Sequence, residues 1–187
     1  TITGMLATDT LLAAGLLNAD ATIRNWAASP LIQAKLKVDS LKVKNASMGT
    51  LDATVENNEP NKYQLAANLK GNDNDVNVQG TYDSSAINAQ VNIANLSMAS
   101  LEPFTMGNMN HMYGSANGKF DISGTPAAPK VNGNLHFNNA GGTVSFIGST
   151  LHLPDEDIVI DGKGILLNNL VIADSLNNEL VVNGRIN

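Results

Sequence analysis

The segment Val131-Asn132-Gly133-Asn134-Leu135-His136-Phe137 alternates apolar and polar residues without a break, and a glycine takes one apolar position. Successive side chains of a strand point to opposite faces, so the pattern predicts a strand with one apolar and one polar face. The same order of residue types recurs around Gly80, Gly118 and Gly184. Asn-Gly also favours two-residue hairpins, but a turn there would invert every later side chain. The unbroken phase favours strands through the glycines; at Gly118 a hairpin remains an alternative.

Composition narrows the class of protein. The 187 residues carry a net charge of −6, 4% aromatic residues and no cysteine, beside 26 asparagines and 16 glycines. Asparagine alternating with Val, Ile and Leu is typical of the solvated face of many strands. The acidic balance without a basic cluster argues against nucleic acid, and the absence of cysteine excludes disulfides and thiolate metal sites. The chain begins and stops within alternating patterns, so we expect an internal fragment of a longer chain, with any signal peptide or membrane anchor outside it.

Alternation predicts an all-β fold over residues 1–187, taken as a single segment. We expect roughly a dozen or more short strands, each near the usual five or six residues. Turn signals include Gly71–Asp75 and Asn138–Gly142. Helix signals are confined to Ala99–Phe104 and Asn25–Ser29, interpreted as one or two short plugs, the second anchored by Trp26.

A one-sided sheet must bury its apolar face. The inward glycines and alanines and the scarce aromatics favour an elongated curved sheet forming a U-shaped hydrophobic groove with room inside it; a β-sandwich is the alternative. The predicted groove lining is the apolar phase of the later strands: Val76, Val78, Gly80, Ile87, Val91, Ile93, Phe120, Ile122, Val131, Gly133, Leu135, Phe137, Val144, Phe146, Ile158, Ile160, Leu170, Ile172, Leu180, Val182, Gly184 and Ile186.

Catalytic and metal sites are not indicated. The three histidines are scattered, with neither cysteine nor a spaced carboxylate to accompany them, so we expect no enzyme activity, no metal and no cofactor. Asp155-Glu156-Asp157 is interpreted as a solvated turn. Met106, Met109 and Met112, three apart, would share a face on a helix; a loop that covers the end of the groove is favoured, and a lipid or partner contact is the alternative. Asp-Ser/Thr-apolar tripeptides at Thr10, Ser40 and Ser175 resemble O-glycosylation sequons.

The second half of the chain resembles a known family. Asn95–Phe104 reads as a strand followed by a short helical turn, and Gly114–Thr125 with Pro126–Leu135 gives a Gly-x-Phe-x-Ile-x-Gly-Thr phrase followed by Pro-x-x-x-Gly-x-Leu. This resembles the C-terminal β-rich region of the TamB-like translocation and assembly module proteins, within the AsmA-like group. The resemblance covers residues 95–187 well and residues 1–94 more loosely.

The resemblance implies a periplasmic groove in a protein anchored in the inner membrane of a Gram-negative bacterium. It implies phospholipid transport between the two membranes, outer-membrane protein assembly, or both. The implied partners are phospholipid acyl chains, an Omp85-type outer-membrane barrel and its protein clients. Inward glycines fit this for a physical reason, since they open a lumen and ease curvature of the sheet. The alternative function is a surface adhesin-like or carbohydrate- or protein-binding β-sandwich module.

Overall fold

The computed structural model describes residues 13–25, 27, 29–44 and 46–187; Thr10 and Trp26, singled out above, lie outside these ranges. Within them the chain forms one open, curled antiparallel sheet, and the spatial order of its eleven strands is their order in the sequence. This confirms the predicted all-β curved sheet. The strands are Ala13–Arg24 (β1), Leu31–Val43 (β2), Ala46–Glu59 (β3), Lys62–Gly71 (β4), Asn74–Tyr82 (β5), Ile87–Ser97 (β6), Met109–Thr125 (β7), Ala128–Val144 (β8), Ser149–Asp161 (β9), Ile165–Asp174 (β10) and Glu179–Ile186 (β11).

The strands are 8 to 17 residues long, so the prediction of short strands was wrong. Residues in the left-handed region lie inside strands, with φ of 53° at Ser40 in β2, 45° at Asn139 in β8 and 54° at Asn169 in β10. At or near such residues the pairing register shifts or lapses, as in a β-bulge, and the strand then continues. The turn signal at Asn138–Gly142 therefore lies within β8, and the predicted break there was wrong.

A single sheet excludes the β-sandwich alternative for the described ranges, because all eleven strands there belong to that sheet. Because consecutive strands run antiparallel, successive turns lie alternately at the two opposite borders of the sheet, where the strands end. The β1–β2, β3–β4, β5–β6, β7–β8 and β9–β10 turns share one border, and the remaining five connections share the other. The only helical elements described lie in the β6–β7 connection, so we name its side the helical border.

The helical connection comprises a helix at Met98–Leu101 (α1) and a 3₁₀ turn at Glu102–Thr105, where the predicted plug was placed. Helix α1 contacts β3, β6 and β7, so the curled sheet brings strands that are not neighbours to the same short helix. Met106 ends the turn with a φ of 55°. Met109 and Met112 then lie on β7, so the three methionines do not share a helical face.

The buried core is small and lies against this helix. It contains Met98, Met112, Ala116, Phe137 and Ala140, with partly buried neighbours packed around it. In the described part of the chain no large side chain has less than 2% of its surface exposed. The fold is therefore packed at the helical border, and most of its apolar face is only half-buried.

Two turn predictions and the second plug prediction had different outcomes. Gly71 pairs with Asn74 across a tight turn, as expected. At Asn25–Ser29 the Ser29 N–H donates to the Asn25 carbonyl at 3.2 Å, which closes one turn between β1 and β2. Asp155–Asp157 lies within β9 and pairs with β8, so its interpretation as a solvated turn was wrong.

Candidate functional site

One row of directly paired residues crosses all eleven described strands and contains no polar side chain. Each member is the pairing partner of the next across the neighbouring strand, so all of them lie on one face of the sheet. Ten intervals of about 4.8 Å give this central row a length of roughly 48 Å along the sheet. Its members are Ala19, Leu36, Ala53, Ala67, Val78, Val91, Phe120, Gly133, Ile160, Ile165 and Ile186.

Two further apolar rows flank the central row over most of the sheet. On the side of the helical border the row includes Leu17, Val38, Leu51, Leu69, Val76, Ile93, Gly118, Leu135 and Ile158. On the other side it includes Ala21, Ala34, Val55, Leu65, Gly80, Ala89, Ile122 and Val131. Together the three rows form a continuous apolar face, which we name the apolar groove.

The apolar groove has no second layer over its middle in the described structure. Val78 and Val91 are half-buried, while Leu65 remains 41% exposed and Leu36 37% exposed. Toward β11 the exposure rises to 58% at Ile186. Apolar side chains of an ordinary core are nearly all buried, so this face is an exposed apolar surface and not an ordinary core.

The opposite face of the sheet is polar. The row adjacent to the central row carries Asn18, Lys37, Asp52, Asn68, Asn77, Asn92, Lys119 and Asn134, and becomes apolar only at Val159 and Leu166 before it ends at Arg185. Amide side chains bond to each other across strands, as where Asn77 donates to Asn68 at 2.7 Å. Lysines and carboxylates alternate in sign, so this face is suited to water.

All four repeated glycines lie inside strands, which confirms the interpretation against hairpins. The glycines were predicted to leave empty space inside the groove, and the structure gives three of the four a different role. A Cβ at Gly133 would lie 2.2 Å from the Lys119 carbonyl oxygen and 2.5 Å from the Phe120 ring. A Cβ at Gly80 would lie 2.6 Å from the Cβ of Ala89. These glycines permit close approach of neighbouring strands and side chains, and only Gly184 among the four opens onto free space.

Asn74 ties the helix to the sheet at the margin of the groove. Its side chain is 3% exposed, and its amide donates to the Met48 carbonyl at 3.0 Å and to the Ser100 hydroxyl at 2.8 Å. Its oxygen accepts the Ser97 N–H at 3.0 Å. The nitrogen and the oxygen of this buried side-chain amide are therefore both hydrogen-bonded. The contact fixes where α1 covers the apolar face.

Two more contacts hold the helical connection. The Glu102 carboxylate accepts the Met112 N–H at 3.0 Å, and Lys44 donates to the Pro103 carbonyl at 3.1 Å. At the opposite border, buried Asn57 plays a similar part, since its side chain bonds the backbone of Pro30, Ile32 and Glu59. The borders are thus anchored by asparagine, and the middle of the groove is left apolar.

Ionised groups with shifted pKa values lie on the polar face or in turns. Arg185 binds both carboxylate oxygens of Asp161 across β10 and lowers the pKa of Asp161 to about 2. The Ser85 hydroxyl and backbone lower the pKa of Asp83. His136 lies between Asp155 at 3.0 Å and Asp157 at 3.1 Å on the same polar face. The three apolar rows contain no ionisable side chain.

The structure brings the predicted lining residues to one face with one exception. Phe146 lies in the β8–β9 turn and is 84% exposed, so its placement in the lining was wrong. Val144 lies at the end of β8, beside that turn. The predicted lining omitted β1–β4, although alternation at Leu36, Val38 and Leu69 carries the same signal. Asn57 and Asn74 were missed because asparagine before a turn signal does not distinguish a buried anchor from a loop.

No protein-family model, curated protein or solved structure matches this chain. The geometry therefore carries the functional argument. In the described ranges no three His, Cys, Asp or Glu residues are placed to hold a metal ion. Nor does any described helix have the length and apolar character that crossing a bilayer requires. What the arrangement offers is an extended apolar surface with one polar face behind it.

Proposed function

We propose that this chain is a non-enzymatic groove segment that holds phospholipid acyl chains. In this proposal it belongs to a TamB-like periplasmic protein that moves phospholipid between the inner and outer membranes, with a connection to outer-membrane protein assembly. The observation that carries the proposal is the central row, because it offers apolar contact across all eleven described strands without a polar interruption. The family assignment and location rest on the sequence resemblance alone.

The chemistry of the groove suits an alkyl chain. Burying each methylene contributes about 0.8 kcal/mol, so a chain of ten or more methylenes gains substantial free energy without any directional bond. A headgroup needs polar surroundings, and charged side chains are found in particular turns of each border, such as Lys44 and Lys62, and not along the rows. An acyl chain along the row would leave its headgroup free to project past a border into water.

The adhesin-like alternative requires a β-sandwich. The described ranges contain no sandwich, because every strand there belongs to a single sheet. An unfolded apolar β-segment remains a different cargo for the same groove. Such a client would pair with a strand edge at β1 or β11, whereas acyl chains would contact the middle of the sheet.

The direct test is site-specific photocrosslinking to lipid in the purified chain. A photoreactive side chain at Val78 on the groove face should crosslink to phospholipid from a mixed phosphatidylethanolamine and phosphatidylglycerol dispersion. The same group at Gln79, one residue away on the polar face, is the matched control. Native mass spectrometry would identify the crosslinked or co-purifying species by mass.

We expect crosslinks at Val78 and few or none at Gln79. Equal labelling at both positions would contradict a lipid groove, because adsorbed lipid does not distinguish the faces. Co-purifying peptide in place of lipid would replace the proposed cargo with a protein client.

A further inference from the structure

The helical border exposes large apolar side chains on its turns. Phe104 lies in the 3₁₀ turn and is 57% exposed, and Met106 follows that turn and is 86% exposed. Phe146 and Ile147 lie in the β8–β9 turn and are 84% and 53% exposed. Leu176, in the β10–β11 turn, is 79% exposed. These five residues, which we name the apolar border, are all the large apolar residues of described turns that are highly exposed.

The opposite border differs in chemistry. Its described turns and strand ends carry Glu59, Lys62, Asp83, Asp161 and Lys163. The exposed apolar residues nearest to it, such as Ile23 and Tyr82, lie on strands and not on turns. On the helical border the β2–β3 and β4–β5 turns also carry charge, at Lys44 and Asp73, so the apolar border is confined to the turns from β6 to β11.

The turns of the apolar border are held in place. Ser145 donates its N–H to the Asn108 carbonyl at 2.9 Å and its hydroxyl to the Gly107 carbonyl at 2.6 Å. These bonds join the β6–β7 and β8–β9 connections, which carry four of the five apolar residues. The exposed side chains are thus presented by a bonded pair of loops.

Few ionisable residues lie in the turns of the apolar border. Glu102 is the one ionisable residue in segments 102–108, 145–148 and 175–178, and its carboxylate accepts the Met112 N–H. Asp174, just before Leu176, accepts backbone N–H groups of Leu176 and Asn178. Both carboxylates at these turns are therefore bonded to backbone N–H groups, and the other charged residues that give the chain its net charge of −6 lie outside the three segments.

We propose that the apolar border inserts into the interface of a phospholipid bilayer. A stable protein interface buries about 800 Å² per partner in one complementary patch. Here four of the five apolar side chains lie on the bonded pair of loops, and Leu176 lies on the next turn of the border, two strands or about 10 Å further along. A fluid bilayer accepts isolated apolar tips to a depth of about 5–10 Å without a matching shape. A second copy of the chain would need an interface of about 20–30 residues per partner, whereas the apolar border contains five apolar residues.

This inference deepens the lipid-groove function, because it names the border at which lipid would enter or leave the groove. The absence of cysteine allows a single environment-sensitive NBD label to report insertion. The label is attached at Phe146→Cys, where its ring replaces an apolar ring. Ser84→Cys on the opposite border is the matched control. The vesicles contain phosphatidylethanolamine and phosphatidylglycerol, with or without doxyl-labelled lipid.

We expect NBD fluorescence at position 146 to rise severalfold with vesicles and to be quenched by doxyl lipid, while the label at position 84 does not respond. The same response at both positions, or none at 146, would overturn the proposal. A rise at 146 with protein concentration in the absence of vesicles would assign the border to a second copy, and would also overturn it.

A second measurement uses unlabelled variants. Met106→Ser combined with Ile147→Ser should weaken vesicle co-sedimentation at least about tenfold, since two apolar side chains no longer leave water. Val159→Ser combined with Val181→Ser, on the polar face of the sheet, is the control with similar lost apolar surface. Undiminished co-sedimentation of the border variant would count against insertion.

The two proposals fail separately. Binding of a soluble fluorescent fatty acid reports the groove, and vesicle binding reports the border. The border variant should keep fatty-acid binding, and a groove variant such as Val91→Asp should keep vesicle binding. If the native chain did not bind fatty acid, the proposed groove function would be refuted and the border proposal would still stand.

Discussion

The substitution Val91→Asp tests the apolar groove at its middle. Val91 lies in the central row, paired with Val78 on one side and Phe120 on the other. It is half-buried, so water can solvate a carboxylate there when no cargo is bound. We therefore expect the fold to survive with a loss of about 1–2 kcal/mol from reduced apolar burial and strand propensity.

An acyl chain over the same position would exclude that water. The carboxylate must then be desolvated or take up a proton, and the second is the less costly route. Protonating an aspartate of ordinary pKa about 3.9 at pH 7 costs about 4 kcal/mol, at 1.36 kcal/mol per pH unit. Fatty-acid affinity should therefore fall by up to about a thousandfold at pH 7.

The same reasoning fixes the pH dependence. The cost falls by about tenfold in affinity for each pH unit below 7 and vanishes near pH 4, where the aspartate is already neutral. Titration of a short fluorescent fatty-acid analogue whose own ionisation is blocked as an ester measures this directly. The control is Gln90→Asp, one residue earlier on the polar face, with the same added charge and the same strand.

We expect Gln90→Asp to bind the probe as the native chain does at every pH. Equal losses in the two variants would refute the groove, since net charge alone would then explain them. A loss in Val91→Asp that does not recover toward pH 4 would refute the desolvation argument and point to altered structure, which circular dichroism of the same samples would detect.

Two further predictions concern the anchors of the sheet. Asn74→Ala should lower the free energy of urea unfolding by about 2–3 kcal/mol, because three buried hydrogen bonds are lost; Asn77→Ala on the polar face should change it by less than about 0.5 kcal/mol, and equal effects would contradict the anchor. Carboxyl NMR should show Asp161 titrating near its pKa of about 2, with a rise toward the ordinary value in Arg185→Gln. Because the folded pKa is depressed, the ion pair stabilises the fold above about pH 4 and loses this contribution between pH 4 and 2; an unshifted Asp161 in the native chain would contradict it.

The two faces of the sheet were predictable from sequence because each strand keeps its phase over several residues. The alternation of apolar and polar residues within Val131–Phe137 is enough to assign an apolar and a polar face to that strand. Strand pairing then aligns its apolar residues with those of the neighbouring strands. A one-residue slip would expose every apolar residue of a strand. The register across the central row is therefore largely determined by the alternation.

Strand length was not predictable, because asparagine tolerates the left-handed region both in turns and in bulges. Asn139 has the local signal of a turn, yet β8 continues to Val144 because both neighbouring strands keep pairing with it. The roles of Gly80 and Gly133 were missed for a related reason. Their conformational need arises from Ala89 and Phe120 on other strands, and one strand's sequence does not show what lies beside it.

Stability and cargo binding are linked in a sheet with a single layer. The buried cluster around Phe137 and Met98 covers only the part of the apolar face beneath α1, and the middle of the groove has no protein layer over it in the described structure. A bound acyl chain would supply that layer and would bind the folded sheet but not the unfolded chain. At a hundred times its dissociation constant, such a ligand stabilises the fold by about 2.7 kcal/mol. Without cargo, the apolar rows of the sheet are incompletely packed. The same rows would be covered by bound cargo, which would complete their packing.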